Sequence, residues 1–118
     1  MDINRPIYVK EGVILLPEHF LFLPVGLIIK AFIVCTPPEY PVWITRGAED
    51  CPGSSPASKH PQGFAFDFRT RHFIRTVDRD EIVQKMQSGL GSQYYIYYKK
   101  NSMAEWIHAQ YNAGKDTK

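Results

Sequence analysis

The sequence predicts an α+β domain, with helices packed on one small, mostly antiparallel sheet. Three observations lead there. The chain of 118 residues is 44% hydrophobic and 22% charged, the composition of an ordinary globular domain large enough for a real core. Its hydrophobic pattern runs helix, strand, long loop, strand, helix, strand, strand, without repeats. The last two strands, "QYYIYYK" and "EWIHAQY", are joined by the polar turn "KNSMA", the spacing of an antiparallel hairpin. One domain over residues 1–111 and a polar tail over 112–118 account for the chain.

Each element has a local reason. "RPIYVKEGVILLPEH" reads as an extended arm or short strand ending near Pro17. The apolar run Phe20 to Cys35 is a helix with Leu23, Leu27, Ile28, Phe32 and Val34 or Cys35 facing the interior. It falls short of the roughly 20 residues of a membrane span. It also carries Pro24, Gly26 and Lys30, so a core helix is expected rather than membrane insertion. "TPPEYP" stops it, because prolines end helices. "VWIT", Val42 to Thr45, is a short strand, and the Gly-, Pro- and Ser-rich stretch 46–63 is a long loop of the kind that often carries function. "FAFDF", Phe64 to Phe68, is the next strand. Asp78 and Glu81 form a capping box for a helix whose buried stripe is Ile82, Val83 and Met86, ended by Gly89 or Gly91. Along "YYIYY" one pair of tyrosines packs inward and the other faces outward, at a period of two.

Composition names no partner. Net charge is +2, and nucleic acid is not expected. Arg69, Arg71, Arg75 and Arg79 cluster in sequence, either as a solvated face or as an attraction for an anionic substrate. Cys35 and Cys51 form no C-x-x-C pair and read as reduced thiols, with a single disulfide left open. The start "MDINRPIYVKEG" lacks the pattern of a signal peptide, so synthesis in the cytoplasm is expected.

Asp67 is the residue that asks for an explanation. It interrupts an aromatic strand, and a buried carboxylate must be exposed, paired or bound to a metal. A hydrolytic zinc site needs three ligands from His, Asp, Glu or Cys, an open fourth position, and a carboxylate that takes a proton from water. His60 at the end of the long loop, Asp67 on the following strand, and Glu105 with His108 on the final hairpin are the candidates. Ala65 shares the Asp67 face and leaves room for an ion, and Gly63 permits a tight turn into the strand. Residues three apart face opposite sides of a strand. Glu105 therefore joins His108 only if it sits in the preceding turn or at a bulge.

Ser58-x-His60-x-x-Gly63-x-Ala65-x-Asp67, followed by Glu105-Trp106-x-His108, resembles the motif pair of the zinc D-alanyl-D-alanine carboxypeptidases and L-alanyl-D-glutamate endopeptidases that cut bacterial peptidoglycan. The likeness covers roughly Leu16 to Tyr111. It implies the hedgehog/D,D-peptidase fold, one Zn2+ per chain held by His60, Asp67 and His108, and Glu105 as general base. It also implies a peptidoglycan stem peptide as substrate, cut by an endopeptidase that acts on the cell wall. The missing signal peptide and small size favour a phage-type or cytoplasmically stored lytic enzyme. A D,D-carboxypeptidase or dipeptidase is the alternative within the family, and a non-catalytic zinc-containing binding module is the alternative outside it. Ser58 either caps a turn or helps to bind substrate. The family's Ser-Gly-Tyr-Arg segment is replaced here by "TRGAED", which puts Glu49 at the arginine position and leaves Arg46 as the candidate substitute. Arg46, Arg69 and Arg71 are the cations from which a carboxypeptidase would draw its carboxylate partner.

Overall fold

A computed structural model describes residues 5–17, 21–49 and 64–112. Its elements are β1 (Ile7–Val9), α1 (Leu23–Cys35), β2 (Val42–Arg46), β3 (Ala65–Arg69), α2 (Arg79–Leu90), β4 (Tyr94–Lys100) and β5 (Glu105–Tyr111). The strands form one sheet in the order β1-β2-β3-β5-β4. Only β1 runs parallel to its neighbour β2; the remaining pairings are antiparallel. The class is therefore α+β with a mostly antiparallel sheet. The N-terminal arm supplies the parallel edge.

Alternation along the strands separates two faces. Ile44, Phe68 and Ile107 lie in one row and Phe66, Ala109 and Ile96 in the next, all buried. Both helices cover this face. Val25, Ile28 and Phe32 from α1 and Ile82 and Met86 from α2 complete one core with those strand residues, and Phe32 stacks on Phe68 at 4.1 Å between ring centroids. The opposite face holds Asp67, His108, Trp106, Tyr95 and Tyr97. Neither α1 nor α2 covers it.

The helices begin and end for identifiable reasons. Asp78 caps α2 by accepting from the backbone N–H groups of Asp80 and Glu81, and Gly91, at φ 102°, ends it. Cβ-bearing residues avoid that conformation, so of the two glycines Gly91 is the stop. The C-terminus of α1 has no basic residue of its own in the last turn. Buried Arg5 serves instead, donating to the carbonyls of Ile33, Thr36 and Tyr40 and tying the arm to the helix end.

One expectation for α1 is corrected. Val25, Ile28 and Phe32 face the core, whereas Leu23, Leu27 and Val34 are exposed. These three share a stripe with exposed Lys30, at the i, i+4, i+7, i+11 spacing of one helix face. The only charge in the helix could not be buried, and it took its neighbours on that face into solvent with it.

Candidate functional site

Residues brought together on the face away from α1 and α2

The sheet register builds the site. Asp67 on β3 pairs directly with His108 on β5, which in turn pairs with Tyr97 on β4. Directly opposed residues share a face and stand about 5 Å apart, so the three side chains form one row. Asp67 and His108 are both buried. Asp67 Oδ1 lies 2.8 Å from His108 Nδ1, and Gln110 Oε1 lies 2.7 Å from the other ring nitrogen, Nε2. Gln110 is itself oriented by donating to Asn112 Oδ1 at 2.6 Å. Tyr97 stacks on the imidazole, 4.7 Å between centroids and 17° between planes. Burial, and then the charge of Asp67, push the Tyr97 phenol above its ordinary value. Asp67 thus survives on an apolar strand because His108 pairs with it in this arrangement.

Arg46 reaches the same row by way of a β-bulge. Ile44 opposes Phe68, yet Arg46 opposes Asp67, so two residues of β2 meet one of β3. On a regular strand Ile44 and Arg46 would face the same way, into the core. The extra residue, Thr45, turns Arg46 onto the Asp67 side, and its hydroxyl donates to the Asp67 carbonyl at 3.3 Å. The charge of Arg46 is felt by Tyr97, whose phenol it favours in the ionised form.

Glu105 on the other face

Glu105 does not join this row. It is the first residue of β5, after a turn in which Asn101 Oδ1 accepts from the N–H groups of Met103 and Ala104. The register from Lys100↔Glu105 to Tyr97↔His108 is unbroken, so no bulge brings Glu105 round to the His108 side. Its carboxylate instead takes Arg79 Nε at 2.7 Å and the Thr70 hydroxyl at 2.8 Å. Arg79 spends its other donors on the carbonyls of Thr70, Phe73, Ile74 and Val77, holding the β3–α2 connection in shape. Burial alone would raise the Glu105 carboxyl. Hydrogen bonds from Arg79, Thr70 and Tyr98 outweigh burial and hold it below the ordinary value. The turn position expected for Glu105 is corrected accordingly, and this geometry gives its carboxylate a structural partner.

Glu49 also has a local explanation. Its Oε1 accepts from the backbone N–H groups of Ile14 and Gly47, both at 2.9 Å. The same close approach demands Gly47, where a Cβ would stand 2.3 Å from the Ile14 carbonyl oxygen.

Fit to a metal ion

The donor set is the test. One carboxylate oxygen and one imidazole nitrogen converge in a buried spot, and Gln110 fixes the ring from behind as partners of metal-bound histidines do. Nδ1 and Oδ1 share a hydrogen across 2.8 Å. Two ligands of a tetrahedral zinc stand roughly 3.3 Å apart, so a small separation of the pair would admit the ion. The residues fit. Among the described residues no three metal-binding side chains converge. His60, the third expected ligand, lies outside the described residues, as do Ser58, Gly63 and Cys51. Cys35 is a half-buried free thiol whose pKa burial raises.

Beside the pair a cleft of about 280 Å³ opens, lined by Arg46, Asp67, Arg69, Arg71 and Trp106 among others. Sequence reasoning did not single out Tyr97, Gln110 or Trp43 as companions of the site. Gln110 carried a signal, being two residues from His108 on a strand. Tyr97 needed the hairpin register, which the turn length alone leaves open.

No protein-family model, no curated protein and no solved structure matches the chain.

Proposed function

We propose that the chain is a zinc-dependent amide hydrolase acting on peptides of the bacterial cell wall, built on the hedgehog/D,D-peptidase fold that its motif pair implies. One observation carries this reading. Asp67 and His108, 41 positions apart in sequence, are buried side by side at 2.8 Å on the sheet face that neither α1 nor α2 covers. Their partners are those a metal centre uses, and Arg46 has been turned toward them by a bulge.

In this reading His60, Asp67 and His108 hold one Zn2+. Zinc bound there supplies a Lewis acid for the scissile carbonyl and brings the pKa of its water to about 7. The chain's own residues do the remainder. Gln110 fixes the His108 ring so that Nδ1 faces Asp67. Tyr97 shields one face of the imidazole from water. Arg46 puts positive charge beside Asp67, where negative charge builds on the substrate carbonyl oxygen. Glu105 is the base that the motif resemblance implies. To serve it must leave Arg79 and Thr70 and come round the strand. Being ionised at neutral pH, it is in the protonation state a base requires.

A second reading has its own observation. Glu105 locked to Arg79 on the opposite face suits a binding module that keeps a zinc centre without turnover. The experiment that separates them is a digest of purified peptidoglycan and synthetic stem peptides, followed by mass spectrometry. Zinc content would be measured on the wild type and on Glu105→Gln. Fragments from the wild type alone support the peptidase. Equimolar zinc without cleavage supports the module.

A further inference from the structure

We infer that the cleft beside the Asp67–His108 pair is a carboxylate-binding subsite, with Arg69 and Arg71 as its specificity-determining cations; the inference rests on the peptidase reading for the nature of the ligand. Lys10, Arg46, Arg69 and Arg71 line the cleft, and of the two acids that border it, Asp67 and Glu105, Glu105 turns its carboxylate away to Arg79. Both acids are already spoken for, one by His108 and the other by Arg79. Among the described residues the charge left over in the cleft is therefore positive, on Lys10, Arg69 and Arg71.

Arg69 is held ready for a planar anion. It follows Asp67 by two on β3, so it shares the face of Asp67, and its guanidinium lies over the Trp43 ring at 4.7 Å from the centroid. A guanidinium stacked by its face keeps its N–H edge for an in-plane acceptor. Among the described residues no hydrogen bond or ion pair takes that edge. Trp43 is in turn backed by Tyr8 at 4.9 Å, so the stack is anchored in β1 and β2. Arg71 is fixed from another side, donating to the Met103 carbonyl at 3.3 Å across the hairpin turn. Ordering these long side chains in advance removes part of the entropy that a ligand would otherwise have to meet. Two coplanar acceptor oxygens match such an edge, which is the shape of a carboxylate.

Placement adds the role. Two strand residues span about 6.6 Å, so a peptide whose scissile carbonyl sits at Asp67–His108 sets a carboxylate one or two residues further on at Arg69. Such a carboxylate has two sources in a peptide, the free C-terminus and an acidic side chain.

The test uses the protein's own reporters. It has two tryptophans, Trp43 and Trp106, the first stacked under Arg69 and the second in the cleft wall. Tryptophan fluorescence of the full chain would be titrated with N-acetyl-D-alanyl-D-alanine, with its C-terminal amide, and with N-acetyl-alanyl-glutamate diamide bearing only the side-chain carboxylate. Each titration would be run with zinc and with chelator. The free acid is expected to bind at least about tenfold more tightly than the amide, and Arg69→Gln or Arg71→Gln to remove that preference. Preference for the glutamate probe over the neutral amide, lost in the same variants, supports the subsite with the side chain as its source. Equal affinity for charged and neutral probes, no saturable change with any probe, or a preference untouched in both variants overturns it. Arg71→Gln changes an exposed loop residue and keeps the test open if Arg69→Gln fails to fold. Carboxylate binding that needs zinc but neither arginine defeats this inference and spares the peptidase. Arginine-dependent binding by a protein that cleaves nothing does the reverse.

Discussion

Asp67 shows how one residue's environment is set by pairs formed far away in sequence. Its carboxylate, on the strand "AFDFR", is paired by His108 from β5. His108→Ala is expected to lower zinc affinity by at least about tenfold and to destabilise the fold by about 3 kcal/mol, because it strands a buried charge. Zinc content and thermal unfolding check the two effects separately. Glu105 poses the opposite case. Its side chain is 11% exposed and that of Arg79 12%, so the pair is worth more than a surface ion pair. Arg79→Ala is expected to cost about 3–5 kcal/mol, read by denaturant unfolding. The sign of the pH effect follows from the depressed folded-state pKa of Glu105. Its stabilisation is complete above the unfolded glutamate value of about 4.3 and is lost as pH falls through the lower folded value. The melting-temperature gap between wild type and Glu105→Gln should therefore be widest near neutral pH and close in acid. A gap unchanged down to pH of about 2 would remove the ion pair from the account.

Elements carry the next set of consequences. The bulge in β2 decides which face Arg46 serves. Deleting Thr45 removes the bulge yet leaves Arg46 directly after Ile44 and still opposite Asp67, so function is expected to persist and stability to fall by about 1 kcal/mol with the lost hydroxyl bond, read by thermal unfolding. An inactive deletion variant would show that Thr45 itself, and not only the facing of Arg46, is required. Glu49 closes the end of the same strand, so Glu49→Arg is expected to cost about 1–2 kcal/mol by leaving two backbone donors short of an acceptor. In α1, Phe32→Ala is expected to cost about 3–5 kcal/mol, since the ring is fully buried against Phe68. Leu27→Ala, on the exposed stripe, should change stability far less.

At the scale of the whole molecule, local signals and register were unequally legible. Asp78, Gly91 and the hairpin turn were readable because capping and turn chemistry act within a few residues. The inward Tyr94 and Tyr98 and the outward Tyr95 and Tyr97 followed from the two-residue period. The facing of α1 was not readable. A helix apolar on nearly every side has no periodicity to orient it, and the position of Lys30 was a weak cue beside so many leucines and isoleucines. The site was half readable. Residue types and spacing pointed to Asp67 and His108, while Arg46 required a bulge and the distance of Glu105 required knowing that β5 begins at that residue. The cationic run Arg69 to Arg79 divides in space: Arg79 is half-buried against Glu105 on the other face, whereas Arg69 and Arg71 border the cleft.

The central claim is that Asp67 and His108 hold a zinc ion that cleaves cell-wall peptides. Its most direct measurement is zinc stoichiometry and stem-peptide cleavage on one preparation of wild type beside His108→Ala. The account predicts one zinc per chain and new peptide fragments from the wild type, with both lost in the variant. Zinc retained by His108→Ala, or cleavage that persists after chelation, would contradict it.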